Sequence, residues 1–326
     1  MGLLTNGVLS LPRLYILSEF HLKAVKHAQS LFDCVLHTSP EAANWCKDAA
    51  AILVKNHTIT AEDLQAAPQL RVIGKQGVGL DLIEMKACEA HGVKVFNTPG
   101  VNAKAVAEMA LCLALSVSRD VPNIIIRQKV YGETVRKETI TGQLIMGKIL
   151  GIIGMGNIGR ETARIFQDGL RTPIITYDPH FPEESGPSWA KIAHRRFHGL
   201  EQLLKESDIV SVHVPLTPST RGLISYDRMK LMKASAILIN TARGGIVDEG
   251  DLTRALEEGL IAGAGFDCHE EEPPTKDRYE RLWACPGFVG TPHIAAATEA
   301  TQVATTNGAT DQVYANLKNE ALSVKA

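Results

Sequence analysis

The chain has 326 residues, of which 45% are hydrophobic and 21% are charged, and its formal net charge is −2. This length is sufficient for two domains, and the charge gives no reason to expect a nucleic-acid or membrane partner. No apolar run reaches the ~18–20 residues that cross a bilayer, and the N-terminus lacks the pattern of a secretory signal. We therefore expect a cytoplasmic protein.

Six cysteines are scattered along the chain, with no CxxC pair and no zinc-site spacing. We interpret them as reduced, mostly packed thiols in a reducing compartment, and we predict that the protein holds no metal. They are Cys34, Cys46, Cys88, Cys112, Cys268 and Cys285.

The first part of the chain alternates short apolar runs with helical patterns. Such βα repeats predict a parallel sheet with helices on both faces, because parallel strands need crossover connections. The predicted strands are 14–17, 33–36, 50–54, 71–75 and 93–97, and the main helices are 20–31, 40–47, 60–67 and 102–118. The last of these helices is apolar almost all round, which is typical of a helix in a large interior or at a subunit interface.

The stretch KILGIIGMGNIG, residues 148–159, predicts a strand, a glycine-rich turn and a helix. Its glycines, Gly154, Gly156 and Gly159, have the GxGxxG spacing of dinucleotide-binding turns, and the helix begins near Asn157 and Ile158. A further apolar run ends at Asp178, 19 residues beyond the last glycine. A carboxylate at this distance accepts hydrogen bonds from ribose hydroxyls and repels a 2′-phosphate, so the pattern favours NAD over NADP.

A second βα series follows this turn, with predicted strands at 174–178, 208–215, 236–240, 261–267 and 286–293. Helices are predicted near 201–207, 226–232, 248–258 and 296–319. We interpret residues 179–199 as a solvated loop.

Three residues that can carry chemistry follow successive predicted strands: Arg243, Glu272 and His293. Ligands collect at the carboxyl ends of strands in open α/β sheets, so this order is compatible with an acid–base and anion-binding set. Each residue also has a structural interpretation. Arg243 could pair with Asp248, Glu272 belongs to an acidic run, and a lone histidine is often structural.

The motifs INTARGGIVDE (239–249), GFDCHEEEP (265–273) and TPHIAA (291–296) closely resemble the signatures of the D-isomer-specific 2-hydroxyacid dehydrogenases. HVPLT (213–217), KQGVGLDLIEM (75–85) and NTPGVNAKAVAEMA (97–110) resemble further motifs of that family, in the same order. The resemblance extends from about residue 70 to 300. The phosphoglycerate dehydrogenase branch is the most similar one, without its C-terminal regulatory extensions.

This resemblance implies a catalytic set of Arg243, Glu272 and His293. Arg243 would bind the substrate carboxylate and reacting oxygen, His293 would be the general acid/base, and Glu272 its carboxylate partner. Asp267 matches a position that contacts the nicotinamide carboxamide. The remaining positions that match cofactor-lining residues are Val214, Pro215, Thr241 and Ala242.

On the substrate side, Gly77, Val78 and Gly79 match a family loop whose main chain binds the substrate carboxylate. Lys75 matches a basic position of phosphoglycerate dehydrogenases and could meet a phosphate or second carboxylate, or be a surface lysine at a strand end. The sequence departs from the family between residues 127 and 142, which lack a tryptophan common in relatives. Tyr131 stands nearby, and the sequence leaves undecided which side chain forms this wall of the substrate pocket.

The resemblance implies two doubly wound parallel-sheet domains. A flavodoxin-like substrate domain would comprise residues 1–118 and 293–326, and a Rossmann NAD domain residues 119–292. Two crossings suit a hinge that closes on the cofactor, and the family implies a homodimer. The predicted function is NAD-dependent hydride transfer at C2 of a small 2-hydroxy or 2-oxo acid: 3-phosphoglycerate/phosphohydroxypyruvate, or hydroxypyruvate/glyoxylate.

Two other functions are compatible with the fold to different degrees. An NAD(H)-sensing corepressor would reuse the fold and could retain the catalytic set. Formate dehydrogenase is disfavoured, because that relative has glutamine where this chain has Glu272.

Overall fold

The computed structural model describes residues 3–5, 8–182 and 188–323. The chain forms two compact units: Met1–Asn102 with Ala297–Ala326, and Ala103–Ala296. Each unit is built on a parallel sheet with interleaved helices, so the predicted fold class is confirmed.

The first unit contains a five-stranded parallel sheet in the order β4-β3-β5-β6-β7. Counted from its first strand the order is 2-1-3-4-5, which is the flavodoxin-like arrangement. A short antiparallel pair, β1 and β2, precedes it. The strands are β1 Leu3–Thr5, β2 Val8–Ser10, β3 Arg13–Ile16, β4 Asp33–Leu36, β5 Ala51–Val54, β6 Val72–Lys75 and β7 Lys94–Phe96.

The second unit contains a seven-stranded parallel sheet in the order β10-β9-β8-β11-β12-β13-β14. Counted from β8, this begins 3-2-1-4-5-6, the Rossmann order, with one more parallel strand at the edge. The strands are β8 Leu150–Ile153, β9 Ile174–Tyr177, β10 His194–Phe197, β11 Ile209–Val212, β12 Ile237–Asn240, β13 Gly263–Phe266 and β14 Phe288–Gly290. Four of them, β8, β11, β12 and β13, are buried along their whole length.

The helices cover the faces of the two sheets, as crossover connections require. In the first unit they are α1 Leu22–Leu31, a 3-10 helix at Pro40–Lys47, α2 Ala61–Ala66, α3 Met85–Ala90 and, at the other end of the chain, α11 Glu299–Ser323. In the second unit they are α4 Ala103–Arg119, α5 Val121–Lys129, a 3-10 helix at Lys137–Thr139, α6 Asn157–Leu170, α7 Leu200–Glu206, α8 Tyr226–Met229, α9 Glu249–Glu257 and α10 Lys276–Trp283. The predicted capping box at α2 is present, with Thr60 and Asp63 each bonded to the other's main-chain N–H.

The unit boundary differs from the predicted one, because α4 belongs to the second unit rather than to the first. Leu113 and Val117 of α4 lie against the glycines of β13. A Cβ atom on Gly265 would lie 2.8 Å from the Leu113 Cβ, and one on Gly263 would lie 2.5 Å from a Val117 methyl. Small residues on β13 therefore let this helix approach the Rossmann sheet closely, and its apolar face completes that core.

The interpretation of residues 179–199 as a solvated loop was wrong for its second half. Residues 194–197 form the edge strand β10, and Trp189 is completely buried. The sequence of β10, HRRF, shows no apolar alternation because an edge strand needs fewer apolar residues than a central one. Residues 183–187 lie outside the described part of the chain.

Among the described helices, no single one is long and apolar enough to cross a membrane. Only α4 and α5 taken together pass on length and composition, and that pair is bent by 62°.

Candidate active site

The glycine-rich turn connects β8 to α6 as the sequence predicted. Gly154 has a φ of 101°, and a Cβ there would lie 2.4 Å from the His213 carbonyl oxygen, so only glycine fits. A Cβ on Gly159 would lie 2.1 Å from the Gly154 carbonyl oxygen. Around Gly156, in contrast, a Cβ would meet nothing within 4 Å, which leaves its backbone open to a phosphate at the α6 N-terminus.

Asp178 follows β9 and holds the turn through its carboxylate. Its Oδ2 accepts the main-chain N–H of Met155 at 2.8 Å, and its Oδ1 accepts those of His180 and Phe181 at 2.9 and 3.1 Å. The predicted ribose-binding residue is thus joined to the predicted pyrophosphate-binding turn.

The other predicted cofactor residues follow β11 and β12. Val214 and Pro215 come directly after β11 and His213, and the Pro215 carbonyl accepts a bond from Thr220 at 2.6 Å. Thr241 and Ala242 follow β12, and the buried Thr241 hydroxyl has no hydrogen-bond partner among the described residues. An orphaned buried hydroxyl, with the open backbone at Gly156, fits a polar ligand such as NAD at these strand ends.

Arg243 lies in the turn after β12, which Asn240 shapes from within the sheet. The buried Asn240 amide donates to the Arg243 carbonyl at 2.9 Å and accepts the N–H of Ala242 at 3.1 Å. The guanidinium of Arg243 donates to the Ala242 carbonyl at 2.6 Å.

Glu272 and His293 form a hydrogen-bonded pair. The Nδ1 of His293 lies 2.8 Å from the Oε2 of Glu272, and the side chains are 43% and 35% exposed. The other carboxylate oxygen accepts the main-chain N–H of His269 at 3.1 Å. The two residues that the sequence placed after different strands are therefore in direct contact.

This pairing changes the proton affinity of both side chains. Hydrogen bonds with Cys268 and Glu272 raise the pKa of His293 to about 10, although burial opposes the charge. For Glu272 burial favours the neutral acid, but the bonds from His293 and the His269 N–H outweigh it and lower its pKa. At neutral pH the pair is therefore an imidazolium–carboxylate ion pair.

Asp267, at the end of β13, organises the turn that carries His293. Its Oδ1 accepts the Thr291 hydroxyl at 2.6 Å and the Ile294 N–H at 2.8 Å, and its Oδ2 accepts the Ala295 N–H at 2.8 Å. Its main-chain carbonyl accepts the His293 N–H at 2.7 Å. The sequence did not reveal this supporting role, and the predicted contact of Asp267 with nicotinamide stays a prediction.

Two buried residues that the sequence did not single out hold the loop before Glu272. Glu249 accepts the main-chain N–H of Glu270 at 2.9 Å, and the Tyr279 hydroxyl accepts that of Glu271 at 2.8 Å. Burial raises the pKa of Glu249. A charged residue within a helical pattern, at 249, gives no signal from sequence alone that it points into the protein.

Cys268 is a further neighbour that sequence analysis had counted only as a packed thiol. Its buried sulfur lies 3.5 Å from the Ala242 carbonyl oxygen, and ligand atoms of Cys268, Glu272 and His293 lie within 4.8 Å of one another. Burial raises the pKa of this thiol. These three residues are the set in the described chain that has the atoms and spacing to hold a metal ion.

The predicted substrate-side residues lie in the first unit, after β6. Lys75 is only 8% exposed, so it is not the surface lysine of one interpretation, and its Nζ donates to the Gln76 carbonyl at 2.8 Å. Gly77 has a φ of 91° and donates its N–H to the Thr98 hydroxyl at 3.2 Å. The Asn97 amide donates to the Val78 carbonyl at 2.7 Å, so the loop Gly77–Gly79 is anchored by its neighbour strand.

A Rossmann sheet with this turn, and with a histidine–carboxylate pair beyond its later strands, defines a nicotinamide-dependent oxidoreductase. The model of the D-isomer specific 2-hydroxyacid dehydrogenase NAD binding domain matches residues 111–295. The hydroxypyruvate reductase of Thermotoga maritima is 39% identical over 253 residues, which are 77% of this chain and 79% of that protein. The D-lactate dehydrogenase of Aquifex aeolicus, solved with NAD and lactic acid, has a TM-score of 0.79 at 27% identity, covering 96% of this chain and 97% of that one.

The D-3-phosphoglycerate dehydrogenase of Methanocaldococcus jannaschii is 37% identical over 284 residues, which are 87% of this chain and 52% of that protein. The chain thus spans about half the length of the phosphoglycerate dehydrogenases it matches. It belongs to the D-isomer-specific 2-hydroxyacid dehydrogenase family and is similar to its phosphoglycerate dehydrogenase branch, as the motifs predicted. It is an oxidoreductase that acts on the CH–OH group of 2-hydroxy acids with NAD as cofactor.

Proposed function

We propose that the enzyme works as a 2-oxo acid reductase in which His293 is the general acid, Glu272 its partner and Arg243 the substrate-binding cation. The observation that carries this proposal is the 2.8 Å contact between His293 and Glu272. Hydrogen bonds with Cys268 and Glu272 raise the pKa of the imidazole to about 10, which favours its protonated form at neutral pH. A protonated histidine is the form that reduction of a carbonyl requires.

Bound NADH supplies the hydride that adds to the carbonyl carbon of the substrate. The guanidinium of Arg243 holds the substrate carboxylate and polarises the carbonyl, because its planar fork matches two oxygens at once. The His293 imidazolium gives its proton to the carbonyl oxygen, and Glu272 stabilises the charge on the ring before transfer and fixes its orientation. In the oxidative direction, neutral His293 takes the proton back.

For the cofactor, we propose that Gly154, Gly156, Asn157, Ile158 and Gly159 bind the pyrophosphate and Asp178 the ribose. Val214, Pro215, Thr241 and Ala242 would line the pocket, and Asp267 would reach the nicotinamide amide. The open backbone at Gly156 and the orphaned Thr241 hydroxyl support this assignment.

For the substrate, we propose a small unphosphorylated 2-oxo acid such as hydroxypyruvate or glyoxylate. The burial of Lys75 and its bond to Gln76 support this choice, because its ammonium already donates to a main-chain carbonyl inside the unit. A phosphorylated substrate is the alternative, in which Lys75 binds the phosphate.

The test compares kcat/KM for hydroxypyruvate, glyoxylate and phosphohydroxypyruvate in the native enzyme and in Lys75→Met. We expect the unphosphorylated acids to be preferred and the variant to change their relative values little. Lys94→Met, which alters an exposed lysine one strand away, is the matched control. Preference for the phosphorylated acid that disappears in Lys75→Met alone would contradict the proposed substrate.

We further propose that the protein is a cytoplasmic homodimer. Six free thiols support a reducing location. Exposed apolar side chains concentrated between residues 115 and 146 support self-association, because monomeric proteins seldom expose so many together.

A further inference from the structure

The segment after β9 donates main-chain hydrogen bonds to Asp178, the residue that is proposed to meet the cofactor ribose. The carboxylate of Asp178 accepts three main-chain N–H groups, from Met155, His180 and Phe181. Both carboxylate oxygens of Asp178 are therefore held in place, and so is the main-chain N–H of Met155 within the glycine-rich turn.

Arg196, on the edge strand β10, closes the same segment from the other side. Its guanidinium donates to the main-chain carbonyls of Asp178, Phe181 and Pro182 at 2.7, 2.6 and 2.8 Å. Its Nε is buried and has no partner among the described residues. One side chain thus bonds to three main-chain carbonyls of the segment that follows β9.

Trp189 binds the main chain of Met155 at its carbonyl. Its indole N–H donates to the Met155 carbonyl at 2.8 Å, and the side chain is completely buried. The N–H of Met155 goes to Asp178 and its C=O to Trp189, so this residue of the glycine-rich turn is bonded on both sides.

The neighbouring Arg195 has no part in this arrangement. It pairs with Glu206 and lies over the ring of Phe197, 4.6 Å from its centre. The two adjacent arginines therefore differ in role although they look alike in sequence. An arginine near the ribose often accommodates the 2′-phosphate of NADP, but here the guanidinium of Arg196 is committed to main-chain carbonyls.

We propose that Arg196 and Trp189 are positioning residues for the ribose end of NAD, and that Arg196 enforces the preference for NAD over NADP by fixing Asp178. This inference rests on the proposed contact of Asp178 with the ribose. The two residues act through Asp178 and Met155 and contribute nothing to the chemical step.

The test measures dissociation constants for NADH and NADPH by cofactor fluorescence, together with kcat at saturating NADH, in Arg196→Met and in the matched control Arg195→Met. Hydrogen bonds of a charged donor are worth enough to predict about tenfold weaker NADH binding in Arg196→Met. We expect NADPH binding to change less, so the preference for NAD falls, while kcat stays at the native value. Arg195→Met should behave as the native enzyme in all three measurements.

Trp189→Phe removes the N–H donor together with part of the ring volume, and it provides a second variant in which Arg196 itself is unchanged. It should weaken NADH binding without changing kcat, even where Arg196→Met lowers the yield of folded protein. A lowered melting temperature with unchanged NADH affinity in both variants would mean a merely structural role and would overturn the inference. Asp178→Asn tests the ribose assignment separately from the roles of Arg196 and Trp189. If this variant leaves the ratio of the NADH and NADPH dissociation constants unchanged, the ribose assignment itself fails.

Discussion

His293 is held in an uncommon backbone conformation by the residues around it. Its φ is 55°, a value that L-amino acids rarely adopt, and its N–H donates to the carbonyls of Asp267 and Thr291. Such conformations persist where surrounding bonds over-determine them, and they concentrate at functional sites. The main-chain conformation therefore places the imidazole beside Glu272, in addition to the hydrogen bond of the ring itself.

The raised pKa of His293 predicts the pH dependence of both directions. Because the folded protein holds the imidazolium up to about pH 10, the reductive kcat/KM should stay high through neutral pH and fall as pH rises through that value. Oxidation needs the neutral ring, so its rate should rise over the same range. Steady-state profiles in the two directions check this, and a reductive rate that falls near pH 6.5, the ordinary histidine value, would contradict it.

Glu272→Gln removes the charge that stabilises the imidazolium. An opposite charge at this distance shifts a pKa by about one to three units, so the alkaline limb of the reductive profile should move to lower pH by that order. Glu271→Gln is the control, because that side chain is 65% exposed and pairs with Arg278. Equal profiles for the two variants would show that Glu272 does not tune His293.

Sequence reasoning predicted the charged residues of the candidate site but not the residues that support them. Arg243, Glu272 and His293 follow strand ends and stand within family motifs, which is why they were predicted. Asp267 was assigned to the cofactor and Glu249 was not noticed, because their partners are main-chain N–H groups of loops distant in sequence. Such bonds depend on tertiary structure and leave no periodic pattern.

At the scale of elements, the close packing of α4 on β13 predicts that a methyl group added to a glycine of β13 destabilises the protein, whereas one added to an open helix position does not. Gly265→Ala would place a Cβ 2.8 Å from that of Leu113, and overpacking of this kind costs about 1–3 kcal/mol. Gly169→Ala in α6 meets nothing within 4 Å and should instead gain about 0.5–1 kcal/mol, as alanine does in helices. Thermal unfolding of both variants checks this, and an equal response would contradict the packing argument.

Most elements could be predicted from the alternation of apolar runs and helical patterns, and those missed have physical reasons. The edge strand β10 is polar, and α10, residues Lys276–Trp283, carries mostly charged residues, so neither shows a clear apolar period. The membership of α4 depended on which sheet its apolar face met, and the close approach of Leu113 and Val117 to the glycines of β13 is visible only in the tertiary structure.

At the scale of the whole molecule, the proposed homodimer predicts which surface charges disrupt association. Val130 and Leu144 are 69% and 73% exposed, and they belong to the exposed apolar side chains between residues 115 and 146. Val130→Asp combined with Leu144→Asp should shift the protein to a monomer in light scattering, because buried charges without partners are costly. Leu22→Asp, at a 76% exposed leucine of α1, should leave the mass unchanged. A native protein that is already monomeric would contradict the proposal.

The most direct test of the catalytic assignment is His293→Ala, assayed for NADH oxidation with a panel of 2-oxo acids and for NADH binding. Loss of a general acid predicts a fall in kcat of about 10²–10⁴-fold, while NADH affinity persists because the glycine-rich turn and Asp178 are untouched. Turnover at the native rate in this variant would contradict the account.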